Sequence, residues 1–462
     1  MAQRHEKSAA LNEGALVAYA SAMAEDLLIL GGALIDGTGA EPVPDTALLL
    51  SDGAITAIGP EAVAQADPGV TTIDATNKTV MPGIIDSHLH CSFDDVVSND
   101  ELFFHREPTM VALTTAQNLQ KILRAGVTSF VDPDTAHGVG PAVRDAVKAG
   151  VIVGPRMKTG VQALVTAVGG TAGRLIPDEG TVGYAQVVNS IDEVILWTRR
   201  HIKYGADWIK IHATGTVPGG KGELLVWSPD ELRASCDAAH ALGVPVMAHC
   251  RSPESTIACA EAGVDLILHG SYMDDAGLEA VLESGAAICP TFTFLANLAD
   301  HGSKVGVTPG MDNIFRGEIA ATAKMMRKAY DAGVKLICGS ESGFALTPYG
   351  HWHAREMEVF VEELGLTELE AITTATKNGA WAMRMEDEIG TLEVGKLADV
   401  LVVDGDPTAN ITVLQDKSRL SEVICRGERT DLSAPWPEHR PIAGWKVSGW
   451  ASEVLTWDRA QA

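Results

Sequence analysis

The feature that most constrains this chain is a fragment that recurs seven times, in which a helical pattern halts at a glycine and a β-rich run follows. The copies read AGVTSFVD (125–132), AGVIVGPR (149–156), YGADWIKI (204–211), LGVPVMAH (242–249), AGVDLILH (262–269), SGAAICPT (284–291) and AGVKLICG (332–339). Glycine just past a helix end supplies the left-handed conformation that closes it. The apolar, β-branched run after it suits a strand covered on both faces. Amphipathic segments such as AQNLQKILR and ELRASCDAAHAL precede the copies. An eighth strand, within TVMPGIIDSHLH, comes before them all. Eight parallel strands alternating with helices predict an α/β fold of the (β/α)8, or TIM-barrel, kind. A doubly wound open sheet is the rival, but eight units and no glycine-rich loop after the first strand favour closure.

The flanks have a different texture. DLLILGGALIDGTG and ALLLSDGAITAIGP alternate as short strands with Gly/Asp turns, and GKLADVLVVDGDPT and LSEVICRGE repeat the pattern beyond the barrel. The expected organisation is a barrel over 81–388 and one small β-sandwich built from 25–80 and 389–430. Residues 1–24 read as an N-terminal extension. Their ALVAYASAMAEDLL is apolar and ends in small residues, as before a signal cleavage site, but Glu13 interrupts it and its core is short and Ala-rich. Residues 431–462, rich in Pro and Trp, read as an arm packed on a surface, such as that of a neighbouring subunit.

Composition narrows the functions. A net charge of −26 repels nucleic acid and anionic membranes, and no apolar run approaches the length of a membrane span. Seven cysteines without a CxxC pair argue against a disulfide framework and for a reducing cytoplasm. A small molecule is the expected partner.

Chemistry in a barrel sits at the C-terminal ends of its strands. Strand one ends in His88 and His90, strand four carries Lys210, strand five ends in His249, strand six in His269, and Glu341 follows strand eight. Residues two apart on a strand share a face, so His88 and His90 can grip one ion, and His249 and His269 on adjacent strands a second. Imidazole and carboxylate suit zinc, cobalt or manganese. Any single histidine here reads equally as a core residue; four at the ends of three such strands do not.

PGIIDSHLH, GADWIKIHATG, VMAHC, LILHG and GTLEVGKLADVLVVDGDP together resemble the amidohydrolase superfamily of metal-dependent hydrolases, over roughly residues 25–430. The layout is similar to its imidazolonepropionase-like and prolidase-like group. GSESGFALTPYGHWHARE is similar to the phenylurea and molinate hydrolases. The resemblance implies one or two divalent ions on His88, His90, Lys210, His249, His269 and Glu341, with Lys210 converted by CO2 to a bridging carbamate, and a homo-oligomer. His212, on the same face as Lys210, is the competing position. With a single ion, Lys210 reads instead as a barrel lysine paired with an acid. The resemblance also implies a metal-activated hydroxide attacking a carbonyl, with Glu341 and His249 as the catalytic residues. Where the family usually has Asp, this chain has Glu341, whose extra methylene moves the carboxylate by about 1.5 Å unless the backbone retreats. Small neighbours (Gly339, Ser340, Ser342, Gly343) point to an adapted loop; a changed metal count or a disabled site are the other readings.

His137, Arg174, Tyr272, Phe292, Phe294 and Tyr349 lie beyond strand ends and are the candidate substrate contacts. Arg174 suits a substrate carboxylate; Phe292 and Phe294 suit an apolar group or the core. His351 and His353 read as helical, where residues two apart face different ways, and are not counted as ligands. Cys91 and Cys250 point away by alternation. Three functions follow: a hydrolase of an amide, urea or carbamate C–N bond in a small hydrophobic, herbicide-like molecule; a prolidase-like dipeptidase or carboxypeptidase; and an inactive ligand-binding barrel. Deaminases and imidazolonepropionase itself are disfavoured, since those branches generally lack the strand-four lysine.

Overall fold

The structure is a computed structural model, and it describes residues 25–97, 107–170, 181–218, 222–440 and 453–461. All seven repeat glycines (Gly126, Gly150, Gly205, Gly243, Gly263, Gly285 and Gly333) adopt positive φ, between 70° and 97°. The strands after them line up in parallel. Strand one (Ile84–Asp86) pairs with strand two (Val127–Asp132), and strand two with strand three (Arg156–Thr159). Strand three continues into Ala163–Val165, which pairs with strand four (Ile209–His212) through Leu164↔Ile211. Strands four, five (Val246–Cys250), six (Leu266–His269) and seven (Ala287–Cys289) follow in register.

The eighth stave is the stretch 335–338. Its Ile337 N–H donates to Ile288 O at 2.9 Å, and Cys338 O accepts from Ser87 N–H at 3.0 Å. That last bond joins stave eight to strand one and closes the (β/α)8 barrel. One repeat departs from expectation. In the second copy, which leads into strand three, the VIV run is not a strand: Val151 and Val153 are 75% and 66% exposed, and the strand begins at Arg156. Hydrophobicity alone marked the run, whereas the paired segment is the more polar RMKT, whose Met157 is buried in the core.

The stretch TVMPGIID serves two sheets. Thr79–Pro82 pairs antiparallel with Val400–Val403, while Ile84–Asp86 is the first barrel strand. Gly83 separates them, and a Cβ there would lie 2.0 Å from Thr128 Oγ1. The sandwich has one sheet of Ala54–Ile58, Ala47–Ser51, Leu27–Leu30 and Thr71–Asp74. Its other sheet is Ala33–Leu34, Thr79–Pro82, Val400–Val403, Leu420–Cys425 and Glu428–Arg429. Both chain ends thus meet around one core containing Leu27, Ile29, Leu48, Val80, Val400 and Ile424. The half-buried Arg156 of strand three ties sandwich to barrel through Asp399.

The described part of the terminal arm packs on its own barrel. Leu455 N–H donates to Ala345 O (2.8 Å), and Trp352 Nε1–H donates to Leu455 O (2.8 Å). All seven cysteines are free and buried, Cys91 and Cys250 among the core residues as their alternation requires. No helix among the described residues is long and apolar enough to cross a membrane.

Candidate metal centre

The strand ends open into a cavity of about 680 Å³ lined by His88, His90, Lys210, His249 and Glu341, with the ring of His269 next to that of His88. Ring centroids of His88 lie 5.2 Å from His90 and 5.4 Å from His269, and His249 lies 4.5 Å from His269. All six predicted ligands are therefore brought to one place, five of them buried and Glu341 partly exposed.

His88 shows how such a ligand is prepared. Thr291 donates its hydroxyl proton to Cys289 O (3.1 Å), so at 3.0 Å it accepts from His88 Nδ1–H. The other nitrogen, Nε2, is left as a buried lone pair with no hydrogen-bond partner among the described residues. Burial, then the charge of Lys210, holds the His88 pKa well below its ordinary value, which keeps the ring neutral. His269 is similar: Nε2 is unpartnered and 3.9 Å from Glu341 Oε1, and burial followed by His249 depresses its pKa strongly. Neutral imidazoles with buried free lone pairs beside a carboxylate fit a divalent cation. The residues present fit the group.

The donor sets cut across the expected pairing. One nitrogen each of His88 and His269 and a Glu341 oxygen lie within 4.8 Å of one another, and a second such set joins His90 to Asp132 and Asp134. Asp134 is fully buried, 3.0 Å from His90 Nδ1, 3.4 Å from His212 Nε2 and 4.0 Å from Lys210 Nζ. Burial pushes its carboxyl up, but His90, His212 and Lys210 outweigh that and hold it well below the usual range. For His90, burial acts downward and Asp134 overrides it, so its pKa rises. Burial lowers the pKa of Lys210 against the opposing charges of Asp134 and Glu341. His212 stacks on His249 at 4.9 Å and is pushed down to about 3 by burial.

His249 Nε2 meets Glu223 Oε2 at 3.0 Å. Glu223 also takes the Thr214 hydroxyl at 2.8 Å and faces Arg251 at 3.7 Å; Arg251 in turn binds Glu318 at 2.7 Å. Strained backbone gathers around the strand ends. His137, His269, Tyr272, Thr291 and Glu341 all have φ between 53° and 67°, a left-handed conformation unfavourable for non-glycine residues.

The substrate candidates divide. Tyr272 and Phe294 line the cavity, with Leu298, Met311, Ile314 and Phe315 extending Phe294 into an apolar wall. Phe292 does not; it is buried against Phe360. Tyr349 is also core, its hydroxyl bonded to His90 O, and His137 lies outside the lining with its N–H on Gly183 O. Arg174 lies outside the described residues. His351 and His353 sit in a turn before the helix Arg355–Leu364, not in a helix.

Sequence reasoning missed Asp134, Glu223, Arg251 and Glu318. Asp132 and Asp134 stand in VDPD at the end of strand two with the same alternation that drew attention to His88 and His90. Glu223 and Glu318 come from a hairpin (Thr214–Pro218, Glu223–Leu225) and a helix (Met311–Asp331), which no strand-end pattern marks.

Comparison with known proteins agrees with this geometry. The chain is 28% identical over 450 residues to ochratoxinase from Aspergillus niger, covering 92% of this chain and 91% of that one. The crystal structure of that enzyme superposes with a TM-score of 0.75 at 25% identity, over 94% of this chain and 99% of that one. A Xaa-Pro dipeptidase with methionine bound in its active site superposes equally well, at 0.75 and 27% identity, over 88% and 99%. Molinate hydrolase shares the fold, at 0.72 and 24%, over 92% and 99%. The family model described as "Amidohydrolase family" matches residues 79–430. By that match, which spans all eight staves and the closing sandwich strands, the chain belongs to the amidohydrolase family, hydrolases of carbon–nitrogen bonds.

Proposed function

We propose that this hydrolase cleaves the C–N bond of an amide, urea or carbamate in a small, largely apolar molecule, using divalent ions held by His88, His90, His249, His269 and Glu341. The observation that carries the reading is the pair of buried Nε2 atoms on His88 and His269, both without a hydrogen-bond partner among the described residues, grouped with Glu341. Bound there, a divalent ion supplies a hydroxide nucleophile at neutral pH and an electrophile for the carbonyl. Glu341, whose pKa burial raises against His90, Arg251 and Lys210, takes the proton released on addition and returns it to the leaving nitrogen. Lys210 is buried and its pKa is lowered, which favours the neutral amine that attacks CO2. The new N–C bond releases one proton and leaves an anionic carbamate, which would add a further oxygen donor to the site. The wall from Phe294 to Phe315 takes the apolar part of the substrate.

A prolidase-like activity is the second reading, supported by the likeness to the Xaa-Pro dipeptidase. Against it, Arg251 is the one guanidinium lining the cavity among the described residues, and Glu318 and Glu223 already face it. The chain works as a cytoplasmic homo-oligomer in this proposal, a state that light scattering on the purified protein tests.

The deciding experiment is metal content per chain on protein purified with bicarbonate, followed by a screen of aryl amides, phenylureas, thiocarbamates and Xaa-Pro dipeptides. Two ions per chain and turnover of the aryl substrates are expected. Turnover of dipeptides alone moves the reading to the second. Absence of bound metal, with no activity regained on adding zinc, cobalt or manganese, rejects both.

A further inference from the structure

Behind the cavity floor lies a buried polar cluster that lines no part of the cavity and that the proposed chemistry does not use. Asp86, fully buried at the end of strand one, accepts from His88 N–H (3.3 Å) and Ser340 N–H (3.0 Å) through Oδ1. Its Oδ2 accepts the Ser340 hydroxyl and His353 Nδ1–H, the latter at 2.8 Å. His353 Nε2 accepts from Gly350 N–H at 3.0 Å. With a carboxylate on one nitrogen and a backbone donor on the other, the ring is fixed as the neutral Nδ1–H tautomer.

Glu341 is suspended between residues tied to this cluster. Ser340 Oγ lies 2.7 Å from Ser342 Oγ and accepts from Ser342 N–H at 3.1 Å. Glu341 N–H donates to His88 O (2.6 Å), Glu341 O accepts from Thr347 Oγ1 (2.7 Å), and Ser342 O accepts from His90 N–H (2.7 Å). The peptide groups on both sides of Glu341 are therefore fixed, and its backbone is held at φ 53°. A left-handed residue redirects its Cα–Cβ bond, which offers a way to seat a side chain one methylene longer than Asp.

We propose that His353 is a positioning residue. Through Asp86 and Ser340 it holds the Glu341 loop in the left-handed form that places a glutamate, and not an aspartate, at the metal centre. This rests on the metal-hydrolase reading, so the test includes readouts that need no substrate.

The variants are His353→Ala, His353→Asn (which keeps a donor toward Asp86), Glu341→Asp and the double variant His353→Ala/Glu341→Asp. Each is loaded with Co2+ for its visible absorption spectrum and metal count. Each is then assayed on the best aryl amide or phenylurea from the screen. His353→Ala is expected to change the cobalt spectrum and lower kcat about 10- to 100-fold, as misplacement on the ångström scale does. KM and metal count should stay within about twofold, and His353→Asn should recover most of the loss. In the Glu341→Asp background the same change should cost less than about threefold, because the group it positions is already misplaced. Equal losses in both backgrounds, or an unchanged cobalt spectrum with unchanged kcat, overturn the proposal. If His353→Ala does not fold, a His353→Asn spectrum unlike that of the parent protein also overturns it. A missing wild-type activity with a normal cobalt spectrum counts against the hydrolase reading alone.

Discussion

At the scale of single residues, the site is made by what stands behind each ligand. Thr291 illustrates it: by giving its proton to Cys289 O it forces His88 to donate from Nδ1 and to present Nε2 bare. Thr291→Val removes that acceptor while keeping the shape. Metal affinity should fall about 10- to 100-fold, read by competition with a chelating dye, with melting temperature little changed. The six candidate ligands stand out in the sequence, whereas the residues that support them do not. Ligands recur at strand ends with a fixed alternation. Thr291, Asp86 and Glu223 are common residue types whose partners lie on other strands, and nothing local distinguishes them. Asp134 is the exception, since its alternation with Asp132 was there to be read.

At the scale of elements, close approach and buried titration set the limits. Gly339 lets stave eight lie against strand one: a Cβ there would meet Cys289 Sγ at 2.6 Å and His88 Cβ at 2.7 Å. Gly339→Ala should push His88 and Glu341 apart, so bound metal per chain falls well below the parent level when measured after gel filtration. The helix Ile191–Lys203 buries His201, both of whose ring nitrogens lack hydrogen-bond partners among the described residues. Burial lowers its pKa from 6.5 to about 4. The folded state thus binds fewer protons than the unfolded one between those values. Its contribution is fully present above pH 6.5 and is lost as pH falls toward 4, up to about 3 kcal/mol at the rate of 1.36 kcal/mol per unit. His201→Leu should flatten the fall in melting temperature between pH 7.5 and 4.5; a parallel fall in both proteins refutes this. The helix-to-strand punctuation was the most legible element-level signal, as the seven positive-φ glycines show. It failed at Val151–Val153 because exposure there is decided by packing against distant residues.

At the scale of the whole molecule, the terminal arm braces the catalytic face. Leu455 is fully buried in a cluster with Leu298, Leu346 and Trp352, against which Phe294, Met311 and Phe315 of the cavity wall also pack. Leu455→Ala should cost about 2–4 kcal/mol in urea unfolding and raise KM for aryl substrates more than it lowers kcat. The Trp-rich composition pointed to a packed arm, but which surface it covers depends on three-dimensional proximity that sequence spacing does not encode. The sandwich was readable from both ends because its short strands alternate with Gly/Asp turns, and the match to its partner strands followed from texture alone.

The run through Gly83 that serves sandwich and barrel together has a consequence for how the protein is made. Thr79–Pro82 emerges early during synthesis, yet its neighbour Val400–Val403 is translated more than three hundred residues later, by the numbering of the chain. Until then the strand exposes an unpaired apolar edge directly upstream of the first barrel strand. Nascent chains of this protein should therefore be clients of chaperones for most of their time on the ribosome, and slowing translation before residue 400 should lower the yield of soluble enzyme while slowing it after residue 430 should not.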